Sequence, residues 1–121
     1  MRAQLKYLLN LENLQYLQEY LPEKNDDFGF YIRCVVGEVT LGGEESFDIF
    51  LCTPKWFLKN CEQSEIIFGR HYLIVLEYNY PRIYERLRSY IDSTHGTTWD
   101  EIGLKLGHIG HWEFEDYREK I

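Results

Sequence analysis

The chain has 121 residues, 45% of them apolar and 17% aromatic, which is enough to bury a core without disulfides or a structural metal. Twenty acidic against 13 basic residues give a formal charge of −7. That argues against a basic surface for phosphate backbones and suits solubility or steering toward a basic partner. Leu5, Tyr7, Leu9 and Leu11 alternate with Gln4, Lys6, Leu8 and Asn10, which predicts a first strand. Between residues 12 and 27, Leu14, Leu17 and Leu21 keep helical spacing, but the stretch runs into the polar loop Pro22-Glu23-Lys24-Asn25-Asp26-Asp27, leaving helix and loop both open. Phe28 to Leu41 is the clearest strand, with Phe28, Phe30, Ile32, Cys34 and Val36 on one face and Tyr31, Arg33 and Val35 on the other. Gly42-Gly43 predicts a hairpin turn, because glycine adopts positive φ without a Cβ clash. Phe47, Ile49 and Leu51 form the returning strand.

Thr53-Pro54 reads as a helix start, a hydroxyl cap followed by proline at the first helical position, and Lys55 to Lys59 supply one to two turns. Beyond Gly69, Arg70 to Tyr78 is a strand with apolar residues on both faces, which predicts a central place in the sheet. Pro81 opens a helix over about 80–94, with Ile83, Tyr84, Leu87, Tyr90 and Ile91 as its stripe. Thr98 and Glu101 form a capping box for a second helix carrying Trp99, Ile102, Leu106 and Ile109. Gly103 and Gly107 weaken that helix or let it pack closely. His111 to Tyr117 alternates aromatic with acidic residues, as a last edge strand or an extended segment. The whole chain, 1–121, therefore reads as one α+β domain. A mostly antiparallel sheet of about four to five strands carries two main helices of the C-terminal half on it.

Cys34, Cys52 and Cys61 are odd in number and irregular in spacing, so they set no disulfide framework and point to a reducing compartment. The opening Met1-Arg2-Ala3-Gln4-Leu5-Lys6 lacks the apolar region of a signal peptide, and the run Leu73-Ile74-Val75-Leu76 is far too short to cross a bilayer. A cytoplasmic protein is the expectation.

Chemical motifs are sparse. His108 and His111 stand at metal-ligand spacing, with His95 as a third candidate. Gly110 breaks the helix between them, however, and no second cluster supplies the remaining ligands of a zinc site. No metal and no cofactor are expected. Cys52 and Cys61 lack the local context of a thiol nucleophile. The pairs Asp26/Asp27, Glu44/Glu45 and Glu115/Asp116 lie in polar surroundings. Acid–base catalysis instead needs two environments that push two pKa values apart. The glycines match neither a dinucleotide nor a phosphate loop, and no nucleophile elbow is present. Arg82, Arg86 and Arg88 share a helix with Glu85 and Asp92, which reads as a mixed solvated face.

What remains is acids interleaved with aromatics. Glu23, Asp26 and Asp27 form one group, and Glu44 and Glu45 at the hairpin a second. Trp112, Glu113, Glu115, Asp116 and Tyr117 form the third. An aromatic anchor with an acidic rim grips a basic protein; a core aromatic beside solvated acids has the same pattern.

Three stretches taken together carry a resemblance. They are Gly42-Gly43-Glu44-Glu45-Ser46-Phe47-Asp48-Ile49-Phe50-Leu51-Cys52-Thr53-Pro54-Lys55-Trp56, then Gly69-Arg70-His71-Tyr72-Leu73-Ile74-Val75, and Thr98-Trp99-Asp100-Glu101-Ile102 running on to Gly110-His111-Trp112-Glu113. With Asp26-Asp27-Phe28 they resemble the immunity protein 8 family of bacterial polymorphic toxin systems over about residues 25–117, and the first 24 residues lie outside the likeness. The resemblance implies an α+β antidote encoded beside a toxin, whose domain it binds so as to block the active site or substrate path. It implies no turnover and no direct contact with nucleic acid or membrane. Many such toxins are nucleases with basic faces, to which an acidic inhibitor is complementary. On this reading the acids and Tyr117 above are the candidate partner-binding residues, Trp56 belongs to the core, and His71 and Trp112 are structural. Two alternatives stand beside it. One is a small metal- or histidine-dependent hydrolase, which would require His71, His95, His108 and His111 to converge. The other is a generic interaction adaptor.

Overall fold

A long β-hairpin organises the chain. Strands β2 (Gly29–Glu38) and β3 (Gly42–Cys52) pair antiparallel, and Gly42 and Gly43 close the turn at φ +76° and +81°. The carboxylate of Glu38 finishes that turn by accepting the backbone N–H groups of Leu41 and Thr40, each at 2.6 Å, and the Thr40 hydroxyl at 2.8 Å. Strand β1 (Ala3–Asn10) adds antiparallel to the far side of β2. The opposite edge of β3 carries two short strands: β4 (Tyr72–Ile74), parallel along Phe50–Cys52, and β5 (His111–Trp112), antiparallel along Phe47–Asp48. The structure is a computed structural model that describes residues 1–114. The architecture is α+β, as the periodicities imply.

Helix α1 (Pro54–Asn60) follows β3 directly, and Thr53 Oγ1 caps it at the Trp56 N–H. Helix α2 (Tyr80–Asp92) starts at Asn79, whose side chain accepts from the Arg82 N–H, and buries Ile83, Leu87 and Ile91. Helix α3 (Trp99–Leu106) starts at Thr98. Its Glu101 side chain reaches one residue past the expected capping box and accepts the Thr97 N–H and hydroxyl. Helices α2 and α3 cover one face of the sheet, where Phe30, Ile32, Val36, Phe47 and Ile49 meet Leu87, Ile91, Ile102 and Leu106 in a single core. That burial is the main favourable term of the fold.

Several expectations are corrected. The alternation of β1 holds only to Leu5, because Lys6 is an extra residue in the strand and the register with β2 shifts there. Such a bulge sends the following side chains to opposite faces, so Leu8 and Asn10 are buried while Tyr7 and Leu9 are only half-buried. Leu14, Leu17 and Leu21 sit on no helix beyond a 3-10 turn at Leu17–Glu19; only Leu17 is buried. The apolar 70–78 run is not central: only Tyr72–Ile74 pair, and β4 ends the strand order. Trp56 lies outside the core. It rests half-buried on the sheet face opposite the helices, with its ring 5.0 Å from that of Phe50 and over the bare backbone of Gly29.

Candidate partner-binding surface

The three acidic groups fall in different places. Asp27 and Asp26 precede β2 and are held by α1: Lys59 Nζ donates to Asp27 at 2.6 Å, and Lys55 stands 3.5 Å from Asp26. The Lys59 hydrogen bond holds the Asp27 carboxyl below its usual range. These acids tie α1 to the start of β2, and their charge is largely matched. Glu23 is exposed in the same loop. Nine residues of extended chain separate Asp27 from Val36, the cross-strand partner of Glu45, so this group lies roughly 30 Å from the hairpin acids.

The hairpin and β5 bring Glu44, Glu45 and Glu113 to one end of the sheet, with Glu45 on the helix-covered face and Glu44 and Glu113 on the other. Strand β5 places Glu113 beside Ser46, whose N–H donates to Glu113 Oε1 at 3.3 Å. Glu45 accepts the indole N–H of Trp112 at 2.8 Å, and Glu44 is 3.4 Å from the Tyr7 hydroxyl. Trp112 is itself buried, stacked on Phe47 with ring centroids 6.1 Å apart. Its exposed surroundings form a cleft of about 500 Å³ with Leu104 and Phe114 as apolar walls and Glu45 and Asp100 at the rim. Among the described residues no basic side chain lines it. The sequence puts Glu44/Glu45 and Glu113 in separate groups and does not single out Asp100 and Leu104, which join Glu45 at the cleft because α3 packs against β5. Glu115, Asp116 and Tyr117 lie outside the described residues.

The histidines only partly converge. His71 and His111 meet with ring centroids 5.8 Å apart, in a groove of about 560 Å³ on the sheet face opposite the helices, beside Asp48, Tyr31 and Phe50. His71 adopts φ +67°, and its Nε2–H donates to the Gly107 carbonyl at 2.7 Å, which ties the start of β4 to the end of α3. His108 opens into a neighbouring hollow with His71. His95 stands apart, bridged to Arg2 at the start of β1. Among the described residues no serine or cysteine lines the His71/His111 groove, and no three His, Cys, Asp or Glu side chains are placed to hold a metal. Cys34 is fully buried, which pushes its thiol up to about 12. Burial raises the Cys52 thiol as well. Both behave as small apolar side chains. Among the described residues no helix is long and apolar enough to cross a membrane.

No curated protein and no solved structure matches the chain significantly. The family model described as Immunity protein 8 matches residues 3–117. The match includes β1 and the loop after it, which the sequence motifs alone left outside the likeness. Covering nearly the whole chain, it places this protein in the immunity protein 8 family.

Proposed function

We propose that the protein is the antidote of a toxin–immunity pair. It acts in the cytoplasm, binding a cognate bacterial toxin domain one to one and blocking it without cofactor or turnover. The family match carries the immunity reading. The cleft bounded by Trp112, Leu104, Phe114, Glu45 and Asp100 supports the mode of binding, since apolar walls with an acidic rim suit an Arg or Lys side chain of the partner. A nuclease domain, whose active face is basic, is the toxin class that this charge fits. Glu44, Glu45 and Glu113 are the principal contact residues. Glu115, Asp116 and Tyr117 follow them in the chain, and Glu23, Asp26 and Asp27 are secondary contacts.

Rescue of toxicity is the test. The C-terminal domain encoded by the neighbouring gene is expressed with and without this protein, and the purified pair is examined for a one-to-one complex. Rescue with a complex that Glu45→Lys/Asp100→Lys weakens at least about a hundredfold is the expected result. A toxic neighbour that is neither rescued nor bound overturns the reading.

A further inference from the structure

The two edges of the sheet are treated differently. On the outer edge of β1 the backbone donors are capped. Ala3 N–H donates to the Thr94 carbonyl at 2.9 Å, Leu5 N–H to Asp92 Oδ1 at 2.9 Å, and Asn10 N–H to the Gln15 carbonyl at 2.9 Å. Bridges at Arg2/His95 and Leu9/Tyr16 close the same edge. Capping of this kind keeps an edge from pairing with other chains.

Among the described residues strand β4 has no such cover. The His71 carbonyl accepts from the Phe50 N–H, and the Val75 N–H donates to the Cys52 carbonyl. Residues 71, 73 and 75 therefore turn their backbone groups to β3, and Tyr72 and Ile74 turn theirs outward. No further strand pairs there among the described residues. The side chains on this edge are apolar and open: Ile74 is 59% exposed and Leu76 79%. A hollow lies on each side of the edge. On one side Ile74, Phe57, Leu58 and Pro54 line an almost wholly apolar concavity of about 270 Å³. On the other, a groove of about 790 Å³ runs between Leu73–Glu77 and α2.

That larger groove is where the arginines of α2 reappear. Arg88 pairs with Glu85 at 2.6 Å and with Asp92 at 3.6 Å. Arg82 and Arg86, one turn apart, line the groove with Asp26 and Glu77; Asp26 pairs with Lys55 and Glu77 accepts from the Asn25 amide, and neither guanidinium has an ion-pair partner among the described residues. Two unmatched cations beside an open apolar edge are out of character for a chain of charge −7, and a carboxylate from outside matches them.

We propose that the edge of β4 accepts an extended segment of the toxin domain as an added strand, its apolar side chains alternating into the hollows beside Ile74 and a carboxylate of that segment facing Arg82 and Arg86. This rests on the antidote reading. In such strand addition the backbone hydrogen bonds supply affinity and the side-chain sockets supply specificity. The β4 edge and the Trp112 cleft both lie along the side of β3 away from β2. Glu45 and Cys52 are seven residues apart on it, roughly 23 Å, within reach of one partner of ordinary interface size.

The experiment uses the full chain and the toxin domain encoded beside it, co-purified as a complex, with amide exchange followed residue by residue. The Tyr72 and Ile74 amides are expected to exchange at least about tenfold more slowly in the complex than in the free protein. Arg82→Glu/Arg86→Glu and Ile74→Lys each weaken binding at least about tenfold, while Arg82→Lys/Arg86→Lys stays within about threefold. If Ile74→Lys fails to fold, the arginine variants and the exchange data decide. A complex that leaves these amides unprotected and tolerates the charge reversal overturns strand addition and leaves the antidote reading standing. Protection that arises in the protein alone as its concentration rises, with a doubled mass, makes a second copy the occupant and overturns the toxin segment. A toxic neighbour that forms no complex overturns both.

Discussion

Trp112 occupies the space that a side chain on Gly103 would need: a Cβ built there would lie 2.5 Å from Trp112 Cη2. The glycine that weakens α3 is thus what lets β5 close on it. Alanine in an exposed helix interior improves on glycine by about 1 kcal/mol. Gly103→Ala is instead expected to lose about 1–3 kcal/mol, because the indole must leave its stack on Phe47. Chemical denaturation reads the difference, and a stabilised variant would mean that β5 is not docked as described.

The cap on β1 gives a second expectation. Asp92→Ala strips the acceptor from the Leu5 N–H and should cost about 1 kcal/mol. It should also bring concentration-dependent self-association, visible in light scattering. Asp92→Asn keeps an acceptor and should remain monodisperse. Association that is equal in both variants would assign the effect to charge rather than to the opened edge.

Acid stability turns on two carboxylates. The backbone N–H of Leu41, the Thr40 hydroxyl and further amides pull Glu38 down to about 2, and the backbone N–H and hydroxyl of Thr97 do the same for Glu101. Because the folded-state values are depressed, each contribution is fully present above the ordinary carboxylate value of 4.5 and is lost as pH falls from there through about 2. The double variant Glu38→Gln/Glu101→Gln should be less stable at pH 7 and show a flatter decline between those limits. An unchanged slope in pH-dependent denaturation would remove these groups from the acid transition.

Thiol reactivity should separate the cysteines. Cys61 is partly exposed, whereas Cys34 and Cys52 are buried with raised pKa values. A thiol-specific chromogenic reagent at neutral pH should label one group rapidly in the native protein and three in denaturant. Rapid labelling of Cys34 would show that the β2–β3 face opens readily.

Much of this architecture was legible because it follows local rules. The Phe28–Val36 alternation, Gly42-Gly43, Thr53-Pro54 and the Ile83/Leu87/Ile91 stripe each encode their element without help from distant residues. Lys6 shows where local reading stops: a bulge is a relation between two strands, and nothing in Leu5 to Leu11 announces that the strand takes one residue more than its neighbour. Ile74 and Leu76 mislead for a different reason, since apolar residues on both faces mark either a central strand or a sticky edge. Trp56 looked like core because its size suggests burial, yet the space for it comes from Gly29 on another strand. The meeting of His71 with His111 is not legible locally, because it needs β4 and β5 to lie end to end along the same side of β3.

Strand β3 spends most of synthesis half-covered. Its partner β2 precedes it and is joined by a two-glycine turn, so that pairing can form as soon as residue 52 is free. The opposite side waits for Tyr72–Ile74 and then, nearly 40 residues later, for His111–Trp112. Contacts of such sequence separation close late and slowly. A nascent chain therefore closes the Phe50–Cys52 flank first and carries an unsealed Phe47–Asp48 flank until His111 and Trp112 emerge from the ribosome, so the side of the sheet that the acidic cleft and the β4 edge share is completed in two steps.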